Sequence, residues 1–588
     1  MRAGTCALLL LWLVLAGIWA GTRPALGDDM WWVLATGRHI VESGAIPERE
    51  IFSFSAPGQP WYHQEWLSHV LFYSALRAFG GDGLVLLKVA IAVVIVVLLG
   101  VVAARRSGSP FLGALAAAFA AWACRDDLDV RAKIFTVLCS VLMLGLVNAY
   151  RRAARPRILL LAPLLMVAWA NLHYGFVYGL VILGSYFGAE TVKSLTGLPD
   201  APMPLRRSLL LGAALLLAAV ACLANPQPLG SFEIALEHMR PDNPWRRVIE
   251  WKPPPLFRQG VPTAFAVTLA VQTVAAASAL LVARRRFDVA DLALVVATAA
   301  VALQSRRFAP LLAFVATPFL ARNLALVVER VARARPRLAR AGPALAAAGA
   351  LAGTILTGVA LASQARAAFA PGLFAGMTHL SSFPVDAVSF LRANPLPGER
   401  LYNFYAWGGY LLFHLPGVPI YVDGRAAVAY PPRIADEYRT IERGGRAALA
   451  RLAGYDANVV LHHVGYDLPL RLRRAPGWVR VYDDGHAVIF VRRTPETASW
   501  LERFERGELV YPDTPGAQLF LAELEMQRGH RQAAVARVLD VVRRFPRDGM
   551  EAALRRQRAE LQAGITTDQS ALRTIDLYAA AFERLSRP

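Results

Sequence analysis

Apolar residues in this chain gather in long unbroken runs, not in the alternating or three-to-four-residue rhythm of half-buried elements. A hydrocarbon core of about 30 Å is crossed by about 20 apolar residues in a helix, so such runs are counted as membrane spans. They cover Thr5–Gly21, Leu84–Ala104, Phe111–Cys124, Ile134–Tyr150, Ile158–Trp169, Phe176–Val192, Leu209–Leu223, Ala264–Ala283, Ala290–Leu303, Leu311–Val328 and Ala344–Ala362, eleven in all. Arg2 before the first run and Ala20-Gly21 at its end also fit a cleaved signal peptide. A retained helix is preferred, because it would fix the acidic pair that follows at the membrane surface. Trp66–Phe79 is short and holds Ser68, His69, Ser74 and Arg77, which predicts an amphipathic helix at the interface rather than a span.

Beyond about Arg366 the long runs stop. Leu401–Tyr421, Asn458–His462, Val479–Tyr482 and Ala487–Val491 read as strands between turn residues, predicting a small α/β domain. From about Pro495 the pattern is charged and helical, and Leu521, Ala522, Gly529, Ala534 and Pro546 fall at the small and turn positions of one tetratricopeptide unit. The expected architecture is therefore mostly α: a polytopic membrane domain over residues 1–364, an α/β domain over 365–494 and a helical, TPR-like tail over 495–588.

Composition agrees with the pattern: 56% hydrophobic and only 18% charged residues exclude a disordered chain and a disulfide-built module. The four cysteines, Cys6, Cys124, Cys139 and Cys222, lie in or at the end of apolar runs without metal-ligand spacing. A net charge of +20 raises the question of nucleic acid, but in a membrane chain basic residues first report topology. With a cytoplasmic N-terminus, the inside connections hold Arg105-Arg106, the arginines of 151–157, Lys193, Arg206-Arg207, Arg284–Arg286 and the arginines of 322–340. The outside receives residues 22–65, the Arg125–Lys133 turn, the Asn171–Tyr174 turn, Asn225–Gly260, Arg306-Arg307 and the C-terminal domain. That reading points to a bacterial inner membrane and away from nucleic acid.

The first outside loop carries the most chemistry: Gly27-Asp28-Asp29-Met30-Trp31-Trp32, then Trp61-Tyr62-His63-Gln64-Glu65-Trp66. Tryptophans favour the membrane interface, so Asp28 and Asp29 are set where a lipid headgroup lies. A carboxylate there can take a proton from an acceptor hydroxyl or bind a divalent ion beside a phosphate. An isolated Asp-Asp pair more often caps the helix behind it.

An acidic first outside loop behind span one, a tryptophan-rich stretch leading into an interfacial helix, and a second acidic turn at Arg125-Asp126-Asp127-Leu128-Asp129 resemble the GT-C superfamily of polytopic glycosyltransferases. Protein O-mannosyltransferases and lipid A aminoarabinose transferases are among its members. The resemblance covers about Met1–Arg330. It implies sugar transfer from a polyprenyl-phosphate carrier to a glycan, lipid or protein acceptor on the non-cytoplasmic face, with Asp28 or Asp29 as general base and Asp126 and Asp127 as the second acidic site. The His-Pro-Pro run of the mannosyltransferase branch is absent, which leaves the acceptor class open.

Other outside residues offer binding groups, each with a plain structural alternative. His63 and Glu65 stand two apart and suit substrate or metal, or ordinary interface hydrogen bonding. Asn171 and His173 break two apolar runs, either lining a site or satisfying helix ends. Glu250 lies in a proline-stiffened loop of the length that covers active sites. Arg306 and Arg307 stand at an outer span end against the charge trend, where a guanidinium suits a lipid phosphate, or snorkels to headgroups. Asp423 and Arg425 read as a structural pair. No cofactor is implied with certainty; a divalent cation is compatible and not required. No nucleotide-binding, serine-elbow or zinc-protease motif occurs. The rival readings are a transporter or flippase, disfavoured by plain Leu, Ala and Val spans, and a membrane-anchored scaffold acting through the C-terminal domain.

Overall fold

The computed structural model describes residues 3–23, 29–153, 155–196, 203–230, 240–369 apart from 241 and 248, 373–398 apart from 379, 400–545, and positions 232, 233, 236 and 548. Two compact units emerge: Met1–Ile46 with Tyr62–His379, and Pro47–Trp61 with Leu380–Pro588.

The first unit is helical. We label α1 Ala3–Gly21, α2 Asp29–Ser43, α3 Trp66–Ser107, α4 Pro110–Ala123, α5 Lys133–Ala153, α6 Leu161–Leu172, α7 Val177–Thr196, α8 Leu205–Ala221, α9 Ala264–Ala283, α10 Val289–Gln304, α11 Ala309–Ala334 and α12 Pro336–Phe369. Each apolar run of the sequence falls on α1 or on one of α3–α12; Ile158–Trp169 begins in the 3-10 turn Pro156–Leu160 that leads into α6. Among the described residues seven helices are long and apolar enough to cross a membrane (α1, α3, α5, α7, α9, α11, α12), and α4, α6 and α10 belong to shorter apolar segments. The chain is an integral, multi-pass membrane protein.

Where lipid removes the hydrophobic drive between helices, small residues let backbones approach. Gly17 and Gly21, four apart on α1, do so: a Cβ on Gly17 would lie 2.6 Å from the Val93 Cα, and one on Gly21 2.9 Å from that of Val89. Gly80 interrupts α3 with φ 69° and ψ −172°, a conformation glycine adopts without a Cβ clash. The break separates Trp66–Phe79, expected from sequence as a helix distinct from the span, from the apolar half. The polar half packs on α2, with Gly37 against the His69 carbonyl and Tyr73 Oη donating to Glu42 Oε1 (2.9 Å).

At one end of these helices a buried ion network joins α3, α5, α7 and α10. Arg151 pairs with Glu190 (2.6 Å), Asp288 (2.9 Å) and Asp291 (3.2 Å). Arg106 pairs with Asp288 and with Asp291 (2.8 Å), and Tyr186 donates to Asp291 Oδ1 (2.8 Å). At their opposite ends α4–α5, α6–α7 and α10–α11 are joined by the connections 124–132, 173–176 and 305–308.

The second unit holds a four-stranded sheet. We label β1 Leu401–Asn403, β2 Val459–His463, β3 Trp478–Asp483 and β4 Ala487–Arg492; their order is β1-β2-β4-β3. β1 runs parallel to β2, and β4 antiparallel to β2 and β3. Leu401–Tyr421, read from sequence as strand, is extended only at its start, because Gly408–His414 is helical. Gly408 there meets the Val422 carbonyl so closely that a Cβ would lie 2.3 Å from it. Pro515–Gln527 and Arg531–Arg544 form a helical hairpin around Leu519, Ala534 and Val538, turned by Gly529 at φ 83°. Pro546 lies outside the described residues.

Residues 47–61 join this unit through backbone pairing with Ile420, as Phe54 N–H donates to its carbonyl (3.0 Å) and Ile420 N–H to Phe52 (3.2 Å). An ion cluster locks the strap. Arg425, fully buried, binds Asp423 (2.6 Å) and Glu50 (2.5 Å), while Tyr430 donates to Asp423 (2.6 Å) and the Trp61 ring lies 4.5 Å below the guanidinium. Asp423 and Arg425 are thus the structural pair expected from sequence. Arg425→Met would leave two buried carboxylates without their cation, a loss of about 3–5 kcal/mol. Thermal unfolding of the purified protein should show it as a lowered transition; an unchanged transition would contradict the role given to this cluster.

Candidate active site

A cavity of 340 Å³ opens among the connections at the end of the helices remote from the Arg106–Arg151 network. Side chains from six separate segments line it. Asp29 comes from the first turn of α2 and Glu65 from the residue before α3; Asp126, Asp127, Asp129, Arg131 and Lys133 come from the α4–α5 turn; His173 follows α6; Glu250 precedes α9; and Arg306 and Arg307 link α10 to α11.

Arg131 is the centre of its electrostatics. Its Nη1 meets Glu250 Oε1 at 2.8 Å and its Nε faces Asp29 Oδ2 at 3.4 Å. Asp29 also accepts the Trp32 indole N–H at 2.9 Å. Burial pushes the Asp29 carboxyl above the usual carboxylate range; Arg131 opposes this, and the nearby Glu250 charge adds to it. Burial likewise disfavours the Glu250 anion, but Arg131, which binds it directly, outweighs that, and Glu250 lies below its ordinary value. Asp29 is therefore the more basic of the two, as a proton acceptor working near neutral pH should be.

Across the cavity Arg307 sits 3.8 Å from Glu250 Oε2, its guanidinium against the faces of Tyr174 (4.8 Å) and Trp251 (5.1 Å). Such stacking holds the planar cation in place. The second acidic turn is ion-paired: Arg23 Nε donates to Asp126 (3.1 Å) and Lys133 to Asp127 (2.7 Å). Among the described residues no cluster of three or more His, Cys, Asp or Glu side chains is arranged to hold a metal ion.

His173 has one defined tautomer. The Trp169 indole donates to Thr136 Oγ1 (2.9 Å), the Gly175 N–H donates to His173 Nδ1 (3.0 Å), and Thr136 Oγ1 stands 2.6 Å from that nitrogen. Nδ1 is the acceptor, so the ring proton is on Nε2, aimed at Glu65 Oε1 at 3.4 Å. Burial brings His173 down to about 4, against the pull of Glu65. For Glu65 burial works upward, yet His173, His69 and Arg307 together keep it ionised below its usual range.

Of the residues singled out from sequence, the cavity collects Asp29, Glu65, Asp126, Asp127, His173, Glu250, Arg306 and Arg307. Asp28 lies outside the described residues. His63 is buried, its ring 4.8 Å from that of His69, and Asn171 accepts the Trp66 indole N–H (2.8 Å) while donating to the Ala224 carbonyl (2.7 Å). Both hold the wall together and do not line it. Arg131 and Lys133 also line the cavity and were not among the candidates from sequence. They break the inside preference of basic residues as Arg306 and Arg307 do, and that signal marks them.

Solved structures similar in fold include two oligosaccharyltransferase structures and one of ArnT. The oligosaccharyltransferase AglB of Archaeoglobus fulgidus, solved with an inhibitory peptide and a dolichol-phosphate, matches with a TM-score of 0.54 and 12% identity over 92% of this chain and 86% of that one. The apo form of the oligosaccharyltransferase from that organism gives 0.53 and 13% over the same shares. ArnT from Cupriavidus metallidurans, in the apo state, gives 0.51 and 15% over 83% of this chain and 98% of its own. No family model and no curated protein sequence matches. At these identities the likeness is one of fold alone.

The neutral His173 gives a pH prediction. Its folded value, about 4, lies below the ordinary imidazole value of 6.5, so its contribution to stability is complete above pH 6.5 and is lost as pH falls toward 4. The amount is about 3 kcal/mol. Melting temperatures measured across this range should fall less steeply for His173→Gln than for the wild type; equal slopes would contradict the assignment.

Proposed function

We propose that the protein is a membrane glycosyltransferase that moves a sugar from a polyprenyl-phosphate carrier to an acceptor hydroxyl. The observation that carries this reading is the pairing, in one cavity at one end of an apolar helix bundle, of a carboxylate of raised basicity, Asp29, with the guanidinium groups of Arg131 and Arg307. The GT-C fold and the dolichol-phosphate of the AglB complex support the choice of donor.

In the transfer, the acceptor oxygen forms a bond to the anomeric carbon as the bond from that carbon to the phosphate oxygen breaks. The electron pair of the broken bond passes to the phosphate, and the acceptor proton passes to Asp29. Arg131 and Arg307 stabilise the charge that develops on the leaving phosphate, and a planar guanidinium suits two of its oxygens at once. Glu65, ionised and oriented by His173, offers an acceptor to sugar hydroxyls. The apolar helices supply the surface for the prenyl chain. Because a lipid phosphate leaves, no nucleotide is needed at the site.

The arginine distribution supports a cytoplasmic N-terminus, with the cavity and the second unit on the outer face of a bacterial inner membrane. In a background without the native cysteines, an impermeant thiol reagent should label Ile51→Cys in intact cells and Arg285→Cys only after permeabilisation, both positions being exposed; the reverse would overturn this sidedness.

Asp29→Asn should reduce transfer by about 10²–10⁴-fold while membrane insertion stays normal. Mass spectrometry of lipid-linked sugars and surface glycans, in cells with the wild type, the variant and no protein, checks this. A glycan pool that changes with the wild type alone fits; pools identical in all three would contradict the reading.

A further inference from the structure

Glu250 is held differently from the other carboxylates of the cavity. Its backbone is fixed: Ser305 Oγ donates to the Glu250 carbonyl (3.0 Å), Arg306 N–H to the Lys252 carbonyl (2.9 Å), and the Trp251 ring meets Phe308 at 6.3 Å. Its side chain is 39% exposed and reaches into the cavity, where one carboxylate oxygen bonds Arg131 at 2.8 Å and the other stops 3.8 Å short of Arg307. The carboxylate is thus placed between the two guanidinium groups, close to Arg131 and at longer range from Arg307. A phosphate, with more oxygens and a tetrahedral spread, can hydrogen-bond both at once.

We propose that Glu250 is a resident counter-anion, occupying the place of the donor phosphate until the lipid displaces it, and returning to expel the spent lipid phosphate. This rests on the reading of Arg131 and Arg307 as the phosphate site. The exchange needs only rotation of the Glu250 side chain about a pinned backbone. It has two consequences. An anion that enters must compete with a carboxylate already bound, which selects for phosphate over weaker anions. After transfer the carrier gains a negative charge, changing from a phosphodiester to a phosphomonoester, and would bind the two arginines more tightly than the donor did; the competing carboxylate shortens its stay. Glu250 is on this account a positioning and release residue, not the base.

The test is equilibrium binding of farnesyl phosphate to the purified full-length protein in lipid nanodiscs, for the wild type, Glu250→Gln and Glu250→Asp, each compared with its thermal transition. Glu250→Gln should bind at least tenfold more tightly. Glu250→Asp, which keeps the charge on a shorter arm, should fall between the two and also serves if the glutamine variant does not fold. In steady-state transfer the glutamine variant should show a lower KM for the lipid donor, a lower kcat and stronger product inhibition. Binding that is unchanged or weaker in both variants would overturn the counter-anion role while leaving the phosphate site standing. No binding by any of the proteins would overturn the role together with the phosphate site on which it rests.

Discussion

Arg131 is the group on which the cavity depends. It lies between Asp29 and Glu250, and these three residues come from three connections that are far apart in sequence. A cation between two carboxylates draws the segments together more firmly than contacts among apolar helices can, since lipid competes for those contacts on equal terms. The same arrangement divides the carboxylates by chemistry. Glu250, bonded to the guanidinium, is kept ionised, and Asp29, farther from it and beside a second negative charge, is made more basic.

The two ends of the helix bundle use charge in opposite ways. At the Arg106–Arg151 end, Glu190, Asp288 and Asp291 are almost wholly buried and every pairing is internal. Such a network fixes α3, α5, α7 and α10 against one another, and breaking any partner leaves a buried charge uncompensated. At the cavity end short pairs such as Arg131–Glu250 (2.8 Å) stand beside longer ones, with Arg307 3.8 Å from Glu250 and His173 3.4 Å from Glu65. Closed pairs at one end hold the scaffold, and the longer pairs at the other can exchange partners with a ligand.

Much of this was legible in the sequence because the bilayer imposes simple rules. Apolar length located the helices, and the polar content of Trp66–Phe79 separated it from the span that follows, where Gly80 now marks the break. Residues that violate a rule at a span end, such as Arg306 and His173, were visible as candidates. Two things were hidden. Arg131 and Lys133 were named only as part of the Arg125–Lys133 turn, although Arg131 also reaches across the cavity to Asp29 and Glu250. Residues 47–61 read as part of the first loop, because no local pattern reports a partner 375 positions away, as Arg425 is to Glu50. In the second unit the helix at Gly408–His414 was masked by aromatic residues that also suit strands.

On the proposed function, this cavity releases a lipid phosphate from a lipid-linked sugar. The most direct measurement is the appearance of free polyprenyl phosphate when the purified protein, in liposomes, meets a polyprenyl-phosphate-linked sugar and acceptors extracted from its own cells. The account predicts release in step with glycosylated acceptor, both falling together in Arg131→Met. Release that is absent with the wild type, or unaffected by loss of Arg131, would contradict it.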